Sequence, residues 1–254
     1  MKKKLIVFIL IFITSNIVFS QSFRFGVKFG INNSSQTLRT NEASGIPSTQ
    51  NKGIITNTIG GVAFKVKNLQ GYHFGAFGLI NFQVKDDAFA WKNEGSPLHI
   101  GIQPEIQYSL HGTKIVDSNN TLWSNNLYYI NIPILLNIKI GKVSLVAGPQ
   151  ISVIQDKRSS YERSAGVGNL TFKALSNIAA FGSAGEFDMN SYTDKDVMFV
   201  TGFQIDLPLN LSVGLRNLGG LNNVSKLENE NWKNNSWQLS INYKFLKLEK
   251  KDDE

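Results

Sequence analysis

"YYINIPILLNIKI", residues 128–140, is a run that hydropathy alone does not classify. It is shorter than the about 20 apolar residues a membrane-spanning helix needs. Its alternation is more telling. Ile130, Ile132, Ile134, Leu136, Ile138 and Ile140 share one parity, while Asn131, Pro133, Asn137 and Lys139 share the other. A β-strand sends successive side chains to opposite faces. The run therefore reads as a strand with one aliphatic face and one face dotted with amide and ammonium groups.

The same two-residue period recurs on both sides of it. "FRFGVKFGI" (23–31) sets Phe23, Phe25, Val27, Phe29 and Ile31 against Arg24, Gly26, Lys28 and Gly30. "QGYHFGAFGLINFQ" (70–83) is a Gly-rich strand, and "LHIGIQPEIQYSL" (98–110) opposes Ile100, Ile102 and Ile106 to Gly101, Gln103, Glu105 and Gln107. Downstream lie "VSLVAGPQISVI" (143–154), "DVMFVTGFQIDL" (196–207), "LNLSVGLRNL" (209–218) and "SWQLSINYKF" (236–245). With the opening run these make eight strands, an even number. "GK" (141–142) and the residues around Pro208 are tight turns, whereas 155–195 and the links after the first, third and seventh strands are long and polar. Short turns on one rim and long loops on the other describe a transmembrane barrel. The segment 54–67 also has strand character and reads as a hairpin arm in the first long loop, or else as a sign that the count is off.

Composition narrows the function classes. Among 254 residues there is no cysteine, which excludes disulfides, thiolate metal sites and a cysteine nucleophile. The formal net charge of +7 falls to about +4 once Lys2, Lys3 and Lys4 are set aside as part of a removable segment. Basic residues are scattered, so nucleic acid is not an expected partner. "MKKK" followed by "LIVFILIFI" and "VFS" has the charged, apolar and small-residue regions of a Sec signal peptide, with cleavage near Ser20/Gln21. The expected domains are a signal peptide at 1–20, a barrel at 21–245 and a charged periplasmic tail at 246–254.

Alternation does not by itself say which face is inside. A soluble lipocalin-like carrier would keep its apolar face inward, and a membrane barrel would reverse it. Tyr72, Tyr108, Trp237, Tyr243 and Phe245 lie on the apolar parity near strand ends, as an interfacial aromatic girdle does. Arg24, Lys28, Glu105, Lys139, Asp206, Arg216 and Lys244 lie on the polar parity among glycines and glutamines, and fit a lumen filled by ion pairs, with Lys28 and Glu105 one candidate pair. With the signal peptide and the loop asymmetry, these features favour the membrane. Eight strands leave room for side chains rather than a channel, so no open pore is expected. Pro104, Pro133 and Pro149 interrupt strands that should have no edge, which predicts bulges at some of them.

Three histidines remain. His99 and His111 are placed at opposite ends of one strand and His73 on the Gly-rich parity, so a shared metal site is not expected. His111 with Ser109 and Asp117 is the formal candidate for a lipid-modifying hydrolase, weighed against no catalytic site at all. No cofactor or metal is implied. The loop 155–195 carries Tyr161, Phe172, Phe181, Phe187 and Tyr192, and reads as a cap over the barrel mouth or a surface for a protein or glycan partner.

"IQPEIQYS" (102–109), "YYINIPILLNIKI" (128–140) and "SLVAGPQISVI" (144–154) resemble, in this order, the strand motifs of the PorT-family outer-membrane β-barrel domain. "FGVKFGINNS" at the start and "NYKF" at the end extend the likeness over essentially the whole chain after residue 20. The resemblance implies an all-β, eight-stranded antiparallel up-and-down transmembrane barrel with long extracellular loops, from a Bacteroidetes-like lineage. It also implies outer-membrane lipid and the barrel-assembly machinery as partners. It implies no activity, and "LKLEKKDDE" after Phe245 departs from barrels that end on their last aromatic residue. The expected role is structural or interaction-type.

Overall fold

The computed structural model describes residues 21–40, 50–51, 54–55, 64–83, 98–117, 122–162, 189–226 and 230–249. Eight long strands form a closed antiparallel barrel. They are β1 (Gln21–Thr40), β4 (Phe64–Gln83), β5 (Leu98–Asp117), β6 (Leu122–Ile140), β7 (Val143–Glu162), β8 (Lys195–Asp206), β9 (Leu211–Gly220) and β10 (Glu230–Glu249). Each pairs with its sequence neighbour in the ring, and β1 pairs with both β4 and β10 to close it. Two-residue strands β2 (Gln50–Asn51) and β3 (Ile54–Ile55) pair only with each other.

The alternation resolves into inside and outside. On β10, Asn234, Ser236, Gln238, Ser240 and Asn242 are buried, while Trp237, Leu239, Ile241, Tyr243 and Phe245 are exposed. On β6, Asn131, Pro133 and Asn137 are buried, and Ile132, Ile134 and Leu136 are exposed. This is the reverse of a soluble carrier, so the lipocalin-like alternative is set aside. The exposed row on β1 runs from Phe23 to Ile31 and then turns polar at Asn33. At about 3.3 Å per residue that is roughly 26 Å of strand, or roughly 20 Å of height at the usual tilt, close to the apolar band of a membrane barrel.

Four expectations need correction. First, the strands are far longer than the alternation suggested. β1, β4, β5, β7 and β10 each have 20 residues and β6 has 19, against about 9–11 needed to cross a bilayer. Much of what reads as long loop, including 111–117, 122–127 and 155–162, is strand. Above the apolar belt the outer face meets water, both faces turn polar, and the period-2 signal fades. Second, residues 54–67 are not one hairpin arm. Ile54–Ile55 belongs to the small ladder, Phe64–Lys67 begins β4, and 56–63 lie outside the described residues. Third, the barrel does not stop at Phe245. Leu246–Glu249 pair with Ser22–Phe25, and the register shift between Phe25 and Gly26 leaves Phe245 as the extra residue. Residues 1–20 and 250–254, which hold the expected signal peptide and the end of the tail, lie outside the described residues.

Fourth, the register shifts do not fall at the prolines. They lie at Phe25/Gly26, Asn68/His73 and Tyr128/Tyr129. Beside Pro104 and Pro133 the ladder skips pairs and resumes in the same register, from Pro104↔Ile134 to Gln107↔Asn131 and from Pro133↔Gln150 to Leu136↔Ala147. A missing N–H removes bonds there without adding a residue. Two tight turns join strands at the rim that also carries the strand termini of β1 and β10. Gly141 has φ 58° in the first, and Leu209 and Asn210 have φ 61° and 60° in the second.

The belt makes a direct prediction. Ile134→Arg, mid-belt and outward, should destabilise the folded barrel by about 2–4 kcal/mol, whereas Ser35→Arg, beyond the belt, should cost no more than about 1 kcal/mol. Urea titration of folding into phospholipid vesicles measures both.

Candidate functional site

The chemistry of this chain is concentrated in its lumen. At its centre Glu105 on β5 receives two cations from other strands. Lys28 Nζ on β1 donates to Oε2 at 2.8 Å, and the Arg216 guanidinium on β9 spans both oxygens at 2.9 and 2.8 Å. Gln103 Nε2 donates to Oε1 at 2.6 Å, and Gln107 Nε2 donates to Oε2. Side-chain exposure is 0% for Lys28 and Glu105 and 1% for Arg216, so no water-filled passage runs beside them. The period of two places Gln103, Glu105 and Gln107 in one inward row, which lets the flanking amides hold the carboxylate while the cations reach it from across the barrel. The bidentate guanidinium bond adds geometric specificity. Gly26 and Gly30, on the inward row of β1, lie beneath crossing side chains. A Cβ at Gly26 would stand 2.4 Å from the Phe77 ring, and one at Gly30 would stand 2.6 Å from the His73 ring.

A second, half-buried cluster lies at the short-turn rim, where Asp206 accepts from Lys139 and Lys244, each at 2.5 Å. Arg24 is half-buried on the inward row at the same rim, and its Nε has no partner among the described residues. The seven candidate luminal residues thus fall into a central trio, a rim trio and Arg24. Above the centre, Asn131 Nδ2 donates to Ser109 Oγ at 2.7 Å, Gln150 bonds Asn131 and Ser152, and Asn234 bonds Tyr129 and Asp196.

The lumen is not wholly polar. Leu135, Val146, Met198, Val200 and Leu218 form one buried apolar cluster. Ile115, Trp123, Leu127, Tyr129, Ile154, Tyr192, Val224 and Trp232 form another, toward the long-loop rim. Leu135 shares the parity of Asn131 and Asn137, so the amide-bearing face of the opening run also carries a leucine. A sealed interior accepts both kinds of group, provided the polar ones are paired.

The upper cluster exists because two staves are short. β8 has 12 residues and β9 has 10, so the wall between β7 and β10 stops early. The ends of the adjoining loops close the gap. Ile154 N bonds Asp194 O, Thr193 N bonds Val224 O, and Val224 N bonds Trp232 O. This directs Tyr192 inward, where its hydroxyl donates to Gln36 Oε1 at 2.7 Å and Asn125 Nδ2 approaches it at 3.4 Å. Burial pushes the Tyr192 phenol up from its ordinary value. Lys157 Nζ bonds Asp194 Oδ1 at 2.7 Å and holds that exposed carboxyl below the usual carboxylate range.

One of the three histidines sits differently from the sequence reading. His111 is inside the long strand β5, not at a rim, and its ring stands edge-on to Tyr129 at 5.6 Å with neither nitrogen hydrogen-bonded among the described residues. Ser109 is therefore not hydrogen-bonded to it, and Asp117 is six residues further along the strand, about 20 Å away. The hydrolase constellation is not assembled. His73 also faces the lumen, its Nδ1 2.6 Å from Asn32 Oδ1. His99 is near the start of β5, opposite Lys139. Among the described residues no three His, Cys, Asp or Glu side chains gather as metal ligands.

Outside, Tyr72 and Trp237 are exposed at the upper edge of the belt, Tyr108 is partly exposed there, and Tyr243 and Phe245 are exposed near the short-turn rim. Tyr128, not singled out from sequence, stacks on Tyr108 at 6.2 Å beneath the Arg158 guanidinium at 5.3 Å. Its parity with Ile130 was the available signal.

A family model described as "Outer membrane protein beta-barrel domain" matches residues 19–226. The chain belongs to that family. It is accordingly an outer-membrane β-barrel, crossing the bilayer with the strands whose outer faces form the belt. No match is found among curated proteins. Distant similarity to solved structures includes Neisserial surface protein A, at 11% identity over 87% of this chain and 97% of that one with a TM-score of 0.40. It also includes Ail of Yersinia pestis, in complex with the heparin analogue sucrose octasulfate, at 12% over 88% and 99% with a TM-score of 0.36. OprG of Pseudomonas aeruginosa is 9% identical over 89% and 97%, with a TM-score of 0.33.

Removing one partner from the central trio should be costly. Arg216→Ala leaves Glu105 with a single cation and opens a void in the sealed lumen, and should destabilise the barrel by about 3–5 kcal/mol. A Leu135→Ala variant, which deletes only apolar contacts, should lose about 2–5 kcal/mol. High salt should change neither loss much, because both sites are shielded from solvent. Chemical unfolding in vesicles at two salt concentrations checks all three statements.

Proposed function

We propose that this protein acts as a closed barrel with an interaction role at the cell surface, not as a pore or an enzyme. The observation that carries the reading is the obstruction of the lumen at two levels, by Lys28–Glu105–Arg216 and by the aromatic cluster around Tyr192. The short-turn rim, with both strand termini, faces the periplasm, and the loops at the opposite rim face outward, following the usual arrangement of such barrels. In this reading residues 1–20 are a cleaved Sec signal, and the barrel-assembly machinery inserts the mature chain. The loop 155–195, whose middle lies outside the described residues, is then the proposed surface for a protein or glycan partner. The strands raise that rim about 8–10 residues above the belt, supporting a role in contact beyond the lipid headgroups. The ordered motifs at 102–109, 128–140 and 144–154 support placement with PorT-type barrels of a Bacteroidetes-like lineage.

Planar-bilayer recording provides the test. The wild-type protein should give no stepwise conductance, whereas a Glu105→Ala, Arg216→Ala, Tyr192→Ala triple variant should leak. Stable wild-type channels would overturn the closed-barrel reading. Orientation is read separately, by protease cleavage of a tag inserted within 163–188 on intact cells. Protection of the tag until the outer membrane is permeabilised would reverse the assignment of the two rims.

A further inference from the structure

The outer wall from β10 through β1 and β4 to β6 carries two independent features. The first is shape. Ala76 faces outward between Phe74, Ile106 and Ile130, and its single methyl leaves an apolar groove of about 370 Å³ that Tyr108 also lines. A second groove of about 490 Å³ lies on the other side of β4, between Tyr72, Ile31, Leu239 and Trp237. Both lie at the upper part of the belt, separated by the ridge of Tyr72 and Phe74.

The second is charge. Above the belt, Lys67 on β4 is the direct cross-strand partner of Lys114 on β5. Opposed residues in an antiparallel ladder have Cα atoms about 4.5–5.5 Å apart, where two like charges are destabilising. Neither lysine meets a carboxylate among the described residues. Arg158, two strands away on β7 and one row lower, lies over Tyr128 at the upper edge of the belt, with Asp156 as its existing partner. A lysine pair with no carboxylate partner among the described residues is unfavourable in isolation, and it stands above two grooves, the second of which also presents Asn33 and Gln70. It becomes favourable when an anion bridges the ammonium groups and hydrocarbon fills the grooves.

We propose that this face holds one anionic, multi-chain lipid of the outer leaflet. A phosphate-bearing head lies across Lys67 and Lys114, with Arg158 beside it, and acyl chains occupy the grooves on either side of Phe74 and Tyr72. The grooves belong to the bilayer-facing belt, where hydrocarbon chains are the surrounding solvent, and this selects a lipid over a soluble polyanion. The inference rests on the orientation given under Proposed function, because only then does the lysine pair face the outer leaflet.

Full-length protein in phosphatidylcholine nanodiscs, titrated with a bisphosphorylated six-chain glycolipid of the lipid A type, tests this by native mass spectrometry of retained lipid. Wild type should retain one glycolipid. Lys67→Gln with Lys114→Gln should weaken retention at least tenfold. Ala76→Phe, which fills a groove without touching charge, should weaken it severalfold. Heat-modifiable gel mobility confirms that each variant still folds, and a second groove filler, Ala76→Leu, substitutes if Phe is not tolerated. Unchanged retention in the lysine double variant overturns the proposal. So does equal competition by the deacylated bisphosphorylated disaccharide, which would make the lysines a soluble-polyanion site. A stable dimer that Ala76→Phe disrupts overturns it too, by assigning the grooves to a second copy of the chain. None of these results bears on conductance, so the lipid site and the closed lumen fail independently.

Discussion

Everything in this protein depends on the ladder between β1 and β10. Hydrocarbon offers no hydrogen-bond partner to a backbone amide, so a sheet that crosses a membrane must have no open edge. The register from Ser22↔Glu249 to Thr40↔Glu230 joins the first and last strands of the barrel. Once that seam is closed, inside and outside are defined for every residue of every stave. The alternation of phenylalanine with arginine, glycine and lysine in 23–31 then acquires its meaning as a partition between two solvents, acyl chains and the protein's own interior.

The lumen shows how a small barrel fills a space that water would otherwise claim. Among the described residues the luminal ion pairs gather in two places, and Asp196 stands apart from both, bonded to Asn234. At the centre one carboxylate holds two cations within a ring of amides, and at the short-turn rim another carboxylate does so with partial access to solvent. Between and above them the interior is made of amides, some of them paired with one another, and of leucine, valine, methionine and aromatic rings. Removing ions from water costs several kcal/mol each, which is offset only where the geometry is good. The apolar patches are therefore as much a part of the closure as the ion pairs are, and they lack the unsatisfied groups that a wholly polar filling would risk.

Sequence patterning located the staves because lipid imposes a strict rule on one face of each. Ile132, Ile134 and Leu136 had no other environment to match, and neither did Phe25 or Phe29. Where that rule ends, the signal ends too. The upper halves of β5 and β6, through His111 and Asn125–Asn126, have water outside and a mixed interior inside, so serine, asparagine and threonine serve on both faces and the strands pass for loops. The central trio involves residues separated by 77 and 111 positions, and their heights follow from stagger that one sequence does not display. Tyr192 was legible only as one aromatic residue in a loop. Its inward direction follows from the early end of β8 and β9, a difference of length, not of composition.

That early end has a consequence in the plane of the membrane. A barrel with staves of equal height presents the same profile from every side. Here six staves stand tall and two stand low, so the molecule has a front, where the segments 189–194 and 221–226 come to the surface at a height at which every other side shows regular sheet. Among the described residues, a neighbour approaching from that direction meets irregular backbone and the Lys157–Asp194 contact, and one approaching from the other sides meets regular sheet. Lateral encounters are thereby given an azimuth above the belt, set by strand length and not by what the belt exposes.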